Sequence, residues 1–156
     1  MITAVDSNIL IDVLSPDRVR GTASWEALGA SRRRGSLVAC DVVYSEVAGL
    51  FANQEEARHV LAELGIHYLP TSEEAALRAS RIQREYQRRG GDRRRLAPDF
   101  LVGAHALDVA DRLLTRDRGF YRAYFRDLLV VEPSRSRAEV DRSLRAGPAL
   151  IPPRGR

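Results

Sequence analysis

The chain has 156 residues, of which 44% are hydrophobic and 29% charged, which is typical of one folded domain and excludes a disordered chain. No uncharged stretch approaches the roughly 18 apolar residues of a membrane span, and no basic signal segment opens the chain, so we expect a cytoplasmic protein without membrane contact. All 25 Lys and Arg positions are Arg, which excludes amine chemistry such as a phosphate-loop lysine or a Schiff base, and the single cysteine excludes an internal disulfide.

Short apolar segments alternate with longer amphipathic ones along the chain. Five segments are predicted to be β-strands: Ile2 to Val5, Leu37 to Cys40, Ile66 to Leu69, Arg112 to Thr115 and Leu128 to Val131. Five more have helical spacing: Ser7 to Leu14, Trp25 to Arg33, Glu55 to Leu64, Glu73 to Arg88, and Pro98 to about Ala110. Asn53 and Thr71 are the predicted N-caps of the third and fourth helices. The alternation predicts an α/β fold, with a mainly parallel sheet of about five strands and helices on both faces.

The last 24 residues differ from the rest in composition. Residues 133–156 carry six Arg against two acids, among several Pro and Gly, so they hold the whole net charge of +4. We therefore predict a globular domain over 1–132 and a partly disordered, Arg/Pro-rich C-terminal tail over 133–156. Two roles for this tail stay open: a solubilising end without function, or an electrostatic tether for RNA.

Four acidic residues are expected to meet at one edge of the sheet. Ligands of open parallel sheets bind at the carboxyl ends of the strands. Asp6 closes the first strand, Asp117 follows the fourth, and Asp99 opens the helix that leads into the fourth. Glu46 lies in the helix that leaves the second strand. Taken singly, Asp6, Asp99 and Asp117 could each be a capping or helix-dipole residue, so only the four together indicate a site.

Helical spacing places Glu46 on a stripe of apolar neighbours, namely Val42, Val43 and Leu50. A carboxylate on a buried stripe needs a partner, because an isolated charge there costs several kcal/mol. In a chain without lysine, that partner is an Arg or a metal ion. Asp99 shares its side of the helix with residues suited to close packing on the sheet: Val102, Gly103 and Ala106.

Converging carboxylates repel each other unless a divalent cation neutralises them. Ligation by oxygen alone favours Mg²⁺ or Mn²⁺ over zinc. Such an ion orients a phosphodiester, lowers the pKa of a bound water and stabilises the leaving oxygen. The acidic residues therefore indicate phosphoryl chemistry.

The order and spacing of four motifs resemble the PIN-domain family. The motifs are Asp6-Ser7-Asn8, Glu46, the segment Pro98-Asp99-Phe100-Leu101-Val102-Gly103-Ala104, and Thr115-x-Asp117-x-x-Phe120. In length and layout the chain is similar to the VapC-type toxins of bacterial toxin–antitoxin pairs, over about residues 1–132. The resemblance implies a three-layer α/β/α sandwich and a Mg²⁺- or Mn²⁺-dependent endoribonuclease.

The resemblance also implies the roles of individual residues. Its catalytic and metal-binding quartet corresponds to Asp6, Glu46, Asp99 and Asp117. Thr115 matches the family's hydroxyl position, and Asn8 matches a polar position that supports the acidic cluster. The implied partners are an RNA substrate, a cognate VapB-like antitoxin and a second copy of the chain in a homodimer.

A group of arginines precedes the helix that carries Asp99. Its members Arg88, Arg89, Arg93, Arg94 and Arg95 surround Gly90-Gly91. They form either an RNA phosphate clamp or a solvated helix end, and the sequence leaves both open. The three histidines lack metal-ligand spacing and are predicted to be structural or surface residues.

Other functions compete with the toxin ribonuclease. An aspartyl phosphatase or receiver domain usually has a second Asp two residues after the first, or a lysine, whereas this chain has Asn8 and no lysine. An inactive PIN-like RNA-binding module would usually lack one of the acids, and none is missing. A PIN nuclease outside any toxin–antitoxin pair stays open, and a small DNA-binding antitoxin encoded upstream would argue against it.

Overall fold

The computed structural model describes residues 1–15, 18–92 and 97–134. Arg93, Arg94, Arg95 and nearly all of the predicted tail lie outside these residues. The described strands are β1 (Ile2–Val5), β2 (Ser36–Ala39), β3 (Ile66–Tyr68), β4 (Arg112–Leu114) and β5 (Val130–Val131). The described helices are α1 (Ser7–Leu14), α2 (Arg18–Arg32), α3 (Asp41–Ala48), α4 (Gln54–Glu63), α5 (Glu73–Arg88), α6 (Ala97–Val109) and α7 (Arg118–Tyr124).

The five strands form one parallel sheet in the order β3-β2-β1-β4-β5. From β1 the chain builds the sheet to one side through β2 and β3, and then returns to add β4 on the other side of β1. The strand order therefore switches between β1 and β4, where Val5 is in register with Leu114. The predicted α/β fold with a parallel five-stranded sheet is confirmed, and it is consistent with a three-layer sandwich.

Helix α6 packs against the sheet and carries Asp99 at its start. Its buried residues are Phe100, Val102, Gly103, Ala104, His105 and Ala106. A Cβ at Gly103 would lie 2.6 Å from the ring of Phe125, so only glycine permits this approach. Val102, Gly103 and Ala106 are buried as predicted, but the close approach at Gly103 is to Phe125 and not to the sheet.

A cluster of aromatic rings joins α5, α6 and α7. The Phe120 ring packs edge-on against Phe100 at 5.1 Å, and Tyr86 packs against Phe100 at 5.5 Å and against Tyr124 at 4.9 Å. Edge-to-face pairs at such distances are favourable. The cluster packs α7 against α6 close to Asp117 and Asp99.

The helix starts agree with the sequence prediction in one case and differ in another. Asn53 caps α4 as predicted, accepting a hydrogen bond from the Glu56 N–H at 2.9 Å. The N-cap of α5 is Ser72 and not Thr71, so that prediction is wrong. The Thr71 hydroxyl donates instead to the Asp41 carboxylate at 2.6 Å, which ties the loop after β3 to the start of α3.

Other boundaries also shifted. Helix α2 begins at Arg18 rather than at Trp25, and β5 begins at Val130 rather than at Leu128. Helix α7 was not predicted from the sequence, because it is short and has Gly119 in its first turn. No helix in the described part of the chain is long and apolar enough to cross a membrane.

Candidate active site

Asp6 is the central residue of the candidate site. It follows β1 at the switch in strand order, and only 6% of its surface is exposed. Its Oδ2 accepts hydrogen bonds from Asn8 Nδ2 at 2.7 Å and from the Thr115 hydroxyl at 2.6 Å. Its Oδ1 lies 3.4 Å from the Ser7 hydroxyl, and the Asn8 backbone N–H also donates to the carboxylate. Hydrogen bonds from Asn8 and Thr115 therefore hold the Asp6 carboxylate in one orientation.

Thr115 connects the ends of β1 and β4. Its Oγ1 accepts hydrogen bonds from Asn8 Nδ2 at 3.1 Å and from the Asp117 N–H at 3.0 Å. Because both of these groups are donors, the hydroxyl hydrogen is left for Asp6. Asn8 in turn accepts a hydrogen bond from the Arg116 N–H through its Oδ1 at 3.2 Å. Fully connected networks of this kind restrict every member to one orientation.

Burial, followed by the neighbouring carboxylates of Asp99 and Glu46, raises the pKa of Asp6 above its ordinary value. Hydrogen bonds from the Thr115 hydroxyl and the Asn8 backbone oppose this shift without cancelling it. Asp99 on α6 and Glu46 on α3 therefore both act on the charge of Asp6, which follows β1. A cation among them would relieve that repulsion.

Glu46 does not lie where the helical spacing predicted. It is exposed on α3, while Val43 is buried and Leu50 is 54% exposed, so the apolar stripe is not covered along its length. The prediction of a buried Glu46 that needs a partner is therefore wrong. Its carboxylate nevertheless acts on Asp6 from the solvent side of the site.

Asp117 is the N-cap of α7. Its side chain accepts a long hydrogen bond of 3.5 Å from the Phe120 N–H, which is the capping role that the sequence left open for it. Its own N–H joins it to Thr115 and hence to Asp6. Asp117 is thus linked to the cluster through the backbone of the loop that follows β4.

The donor chemistry of the site fits a hard divalent cation. Asp6 and its acidic neighbours offer oxygen atoms only, and their mutual repulsion favours a positive ion. Among residues 1–15, 18–92 and 97–134, no three His, Cys, Asp or Glu side chains stand close enough to form a complete ligand set. Mg²⁺ does not need such a set, since it commonly binds through one or two carboxylates and keeps several waters.

The arginines of the predicted RNA clamp are only partly described. Arg88 and Arg89 are exposed at the end of α5, and Arg89 pairs with Glu85. Arg89 also lines a groove of about 730 Å³ between α5 and the residues after α7, together with Arg78, Arg81 and Arg126. The histidines are as predicted, since His59 and His67 are exposed and His105 is buried in the core.

Two residues next to the site had been given no special role from the sequence. No motif marks Asp12 in the sequence, yet it is 5% exposed and pairs with Arg116. Its position three residues after the apolar Ile9 places it on the same side of α1, which spacing alone does not show to be covered. Arg116 occupies the variable position between Thr115 and Asp117 in the motif.

The acidic carboxylates lie at the switch in strand order of a parallel sheet. The protein is therefore an α/β sandwich with an acidic site at the carboxyl edge of its sheet. The family model described as "PIN domain" matches residues 3–126. The chain therefore belongs to the PIN domain family. No curated protein matches its sequence.

Solved structures with the same fold come from toxin–antitoxin systems. VapBC2 from Rickettsia felis, bound to a promoter DNA fragment, has a TM-score of 0.66 at 14% identity, covering 86% of this chain and 100% of that one. A toxin–antitoxin complex from Klebsiella pneumoniae has a TM-score of 0.61 at 24% identity, covering 86% and 99%. Mycobacterium tuberculosis VapC20, described as a Sarcin-Ricin loop cleaving toxin, has a TM-score of 0.56 at 16% identity, covering 81% and 98%. At these identities the likeness establishes a common fold.

Proposed function

We propose that the chain is a Mg²⁺- or Mn²⁺-dependent endoribonuclease, and that it is the toxin of a type II toxin–antitoxin pair of the VapBC kind. The nuclease proposal rests on the burial, the orientation and the raised pKa of the Asp6 carboxylate. This carboxylate is buried at the switch in strand order and oriented by Thr115 and Asn8, and two further acids raise its pKa. Such an arrangement is expensive in free energy unless a bound cation offsets it.

The proposed division of roles follows from the hydrogen bonds. Asp6, Asp99, Glu46 and Asp117 would hold the ion together, one or two of them directly and the others through the waters that the ion keeps. When bound, the ion would orient the phosphodiester, activate a water and stabilise the leaving oxygen. Thr115 and Asn8 hold the Asp6 carboxylate in one orientation. Asp117 also joins the loop after β4 to Thr115, so the acids from separate elements keep their spacing.

The toxin role is supported by the fold shared with solved toxin–antitoxin complexes, among them VapBC2 and the Klebsiella pneumoniae complex. We propose an RNA substrate, a VapB-like antitoxin as cognate partner and a homodimer of this chain. An RNA substrate agrees with the cytoplasmic location expected from the sequence.

The nuclease proposal is tested with the purified full-length chain. We expect it to cleave RNA in Mg²⁺ or Mn²⁺, to lose cleavage in excess EDTA, and to regain it when the ion is restored. The ion should also raise the melting temperature, because it relieves a carboxylate repulsion that exists only in the folded state. Full cleavage in excess EDTA would rule out the metal assignment. A duplex DNA of matched sequence is the control for substrate class.

The toxin proposal is tested in cells. Expression of the chain alone is expected to arrest growth, and co-expression of a small DNA-binding protein encoded next to it should restore growth. The Asp99→Asn variant, expressed to the same level, is the matched control and should not arrest growth. If soluble wild-type protein accumulates while growth continues, the chain is better explained as a PIN nuclease outside a toxin–antitoxin pair.

A further inference from the structure

A buried acid and a partly exposed arginine form an ion pair beside the acidic cluster. Asp12 on α1 has only 7% of its side chain exposed, and its Oδ2 lies 2.8 Å from the Nε of Arg116. The same Oδ2 accepts a hydrogen bond of 2.8 Å from the Ser24 hydroxyl on α2. Asp12 thus joins α1, α2 and the loop after β4. The pair extends from the interior to the surface, since 38% of the Arg116 side chain is exposed.

Arg116 is attached to the site at two points. Its backbone N–H donates to Asn8, which is also bonded to Asp6, and its flanking residues are Thr115 and Asp117. Its side chain is held through Nε by Asp12. A guanidinium has five N–H groups, and Nε accounts for one. Within the described residues, Asp12 is the only side chain that pairs with this guanidinium, so Nη1 and Nη2 remain available to a ligand.

We propose that Arg116 binds a backbone phosphate of the RNA strand through Nη1 and Nη2, and that Asp12 is the positioning residue that aligns it. This inference rests on the proposed function and assigns a substrate contact to that site. Guanidinium groups bind phosphate oxygens in a bidentate manner. A side chain already held by a buried carboxylate loses little conformational entropy when the ligand binds.

The negative charge of the site is a second reason to assign phosphate binding to Arg116. Asp6, Asp99 and Glu46 present negative charge where a phosphodiester must approach, and like charges reduce both affinity and the rate of encounter. Arg116 places a positive charge at the same edge of the sheet, between two residues of the site. Because 38% of the Arg116 side chain is exposed, its guanidinium is accessible to a phosphate that approaches the site.

The test is a double-mutant cycle of full-length chains: Asp12→Asn, Arg116→Gln and the double variant, with Arg116→Lys added. Binding of a fluorescent single-stranded RNA is measured in EDTA, where no metal-dependent cleavage occurs, over a range of salt concentrations. Arg58→Gln is the matched control, because Arg58 is exposed on α4, which contributes no residue to the acidic cluster.

We expect Arg116→Gln to weaken RNA binding about ten-fold and to reduce the slope of log K against log salt by about 0.7, as for one lost phosphate contact on a single strand. Arg116→Lys should restore the salt slope but not the full affinity, because an ammonium cannot bind in the bidentate manner. Asp12→Asn should weaken binding less, since the charge of Arg116 remains. Arg58→Gln should change neither quantity.

Arg116→Gln leaves the Asp12 charge buried and unpaired, so this variant can fold poorly. Asp12→Asn and the double variant both lack that buried charge, so comparing their RNA binding tests the inference without this difficulty. If the two bind RNA with equal affinity and equal salt slope, while the wild type cleaves RNA, then Arg116 is only a structural partner of Asp12 and the inference is wrong. If the wild-type chain neither binds nor cleaves RNA, the proposed function itself has failed, and the inference fails with it.

Discussion

Replacing Asp6 or Asp99 by Asn is expected to lower RNA cleavage by about 10²-fold or more, because each change removes a charge from the proposed metal centre. Asp6 has the stronger geometric basis, since its Oδ2 is fixed by Thr115 and Asn8. Asp99 acts on Asp6 from the first turn of α6. The measurement is the initial rate of RNA cleavage at saturating Mg²⁺.

Both variants are expected to fold. In the folded protein the pKa of Asp6 is raised, first by burial and then by Asp99, so the charged form costs free energy at neutral pH. Asp6→Asn should therefore be at least as stable as the wild type at pH 7. That advantage should shrink as the pH falls through the raised pKa, and vanish below about 3.9, where the unfolded chain is protonated too. Urea unfolding at several pH values measures it.

Asp108→Asn is the matched control for these two substitutions. Asp108 is exposed near the end of α6 and accepts one hydrogen bond from Ser72, so its loss should leave cleavage within about two-fold of the wild type, as for an ordinary surface position. An equal loss of cleavage in Asp108→Asn would mean that the effect at Asp6 and Asp99 is one of stability and not of catalysis.

Removing the arginine of the Asp12–Arg116 pair is expected to destabilise the fold by about 3 kcal/mol, which is about a hundred-fold in the unfolding equilibrium. Arg116→Ala leaves the Asp12 carboxylate buried, with the Ser24 hydroxyl as its remaining hydrogen-bond partner. Asp12→Asn should cost less, because the partly exposed Arg116 can be hydrated and Ser24 can still bond the amide. Urea unfolding of each variant gives the difference.

The double variant Asp12→Asn with Arg116→Ala should recover much of the lost stability, since no charge is then left buried. Arg58→Ala, at an exposed surface pair, should change stability by no more than about 0.5 kcal/mol. If Arg116→Ala unfolds at the same urea concentration as the wild type, then Asp12 is stabilised by something other than the arginine.

Glu46 and Asp12 show that helical spacing alone does not predict whether a residue is buried. Glu46 follows Val43 by three residues and was predicted to be buried, yet it is exposed. Asp12 follows Ile9 by three residues and no motif marks it, yet it is buried. Spacing identifies which residues share one side of a helix. Whether another element covers that side depends on packing: α1 is covered by α2, whereas the part of α3 that carries Glu46 is open to solvent.

The capping of α5 has a similar explanation. Thr71 and Ser72 are both good N-cap residues, and the sequence contains no local reason to prefer one. Thr71 is used by Asp41, thirty residues earlier in the chain, so the cap passes to Ser72. A contact between distant parts of the sequence decided between two locally equivalent choices.

By itself, the amino-acid sequence determined the alternation of strands and helices, the acids that follow the strands and the family to which the chain belongs, because these depend on local periodicity and on the spacing of short motifs. The tertiary structure alone decided the switch in strand order between β1 and β4, the hydrogen bonds that orient Asp6, the exposure of Glu46, and the pairing of Asp12 with Arg116. The physical reason is that burial and pairing arise from contacts between residues up to about a hundred positions apart, and those contacts form only when the sheet brings the ends of its strands to one edge.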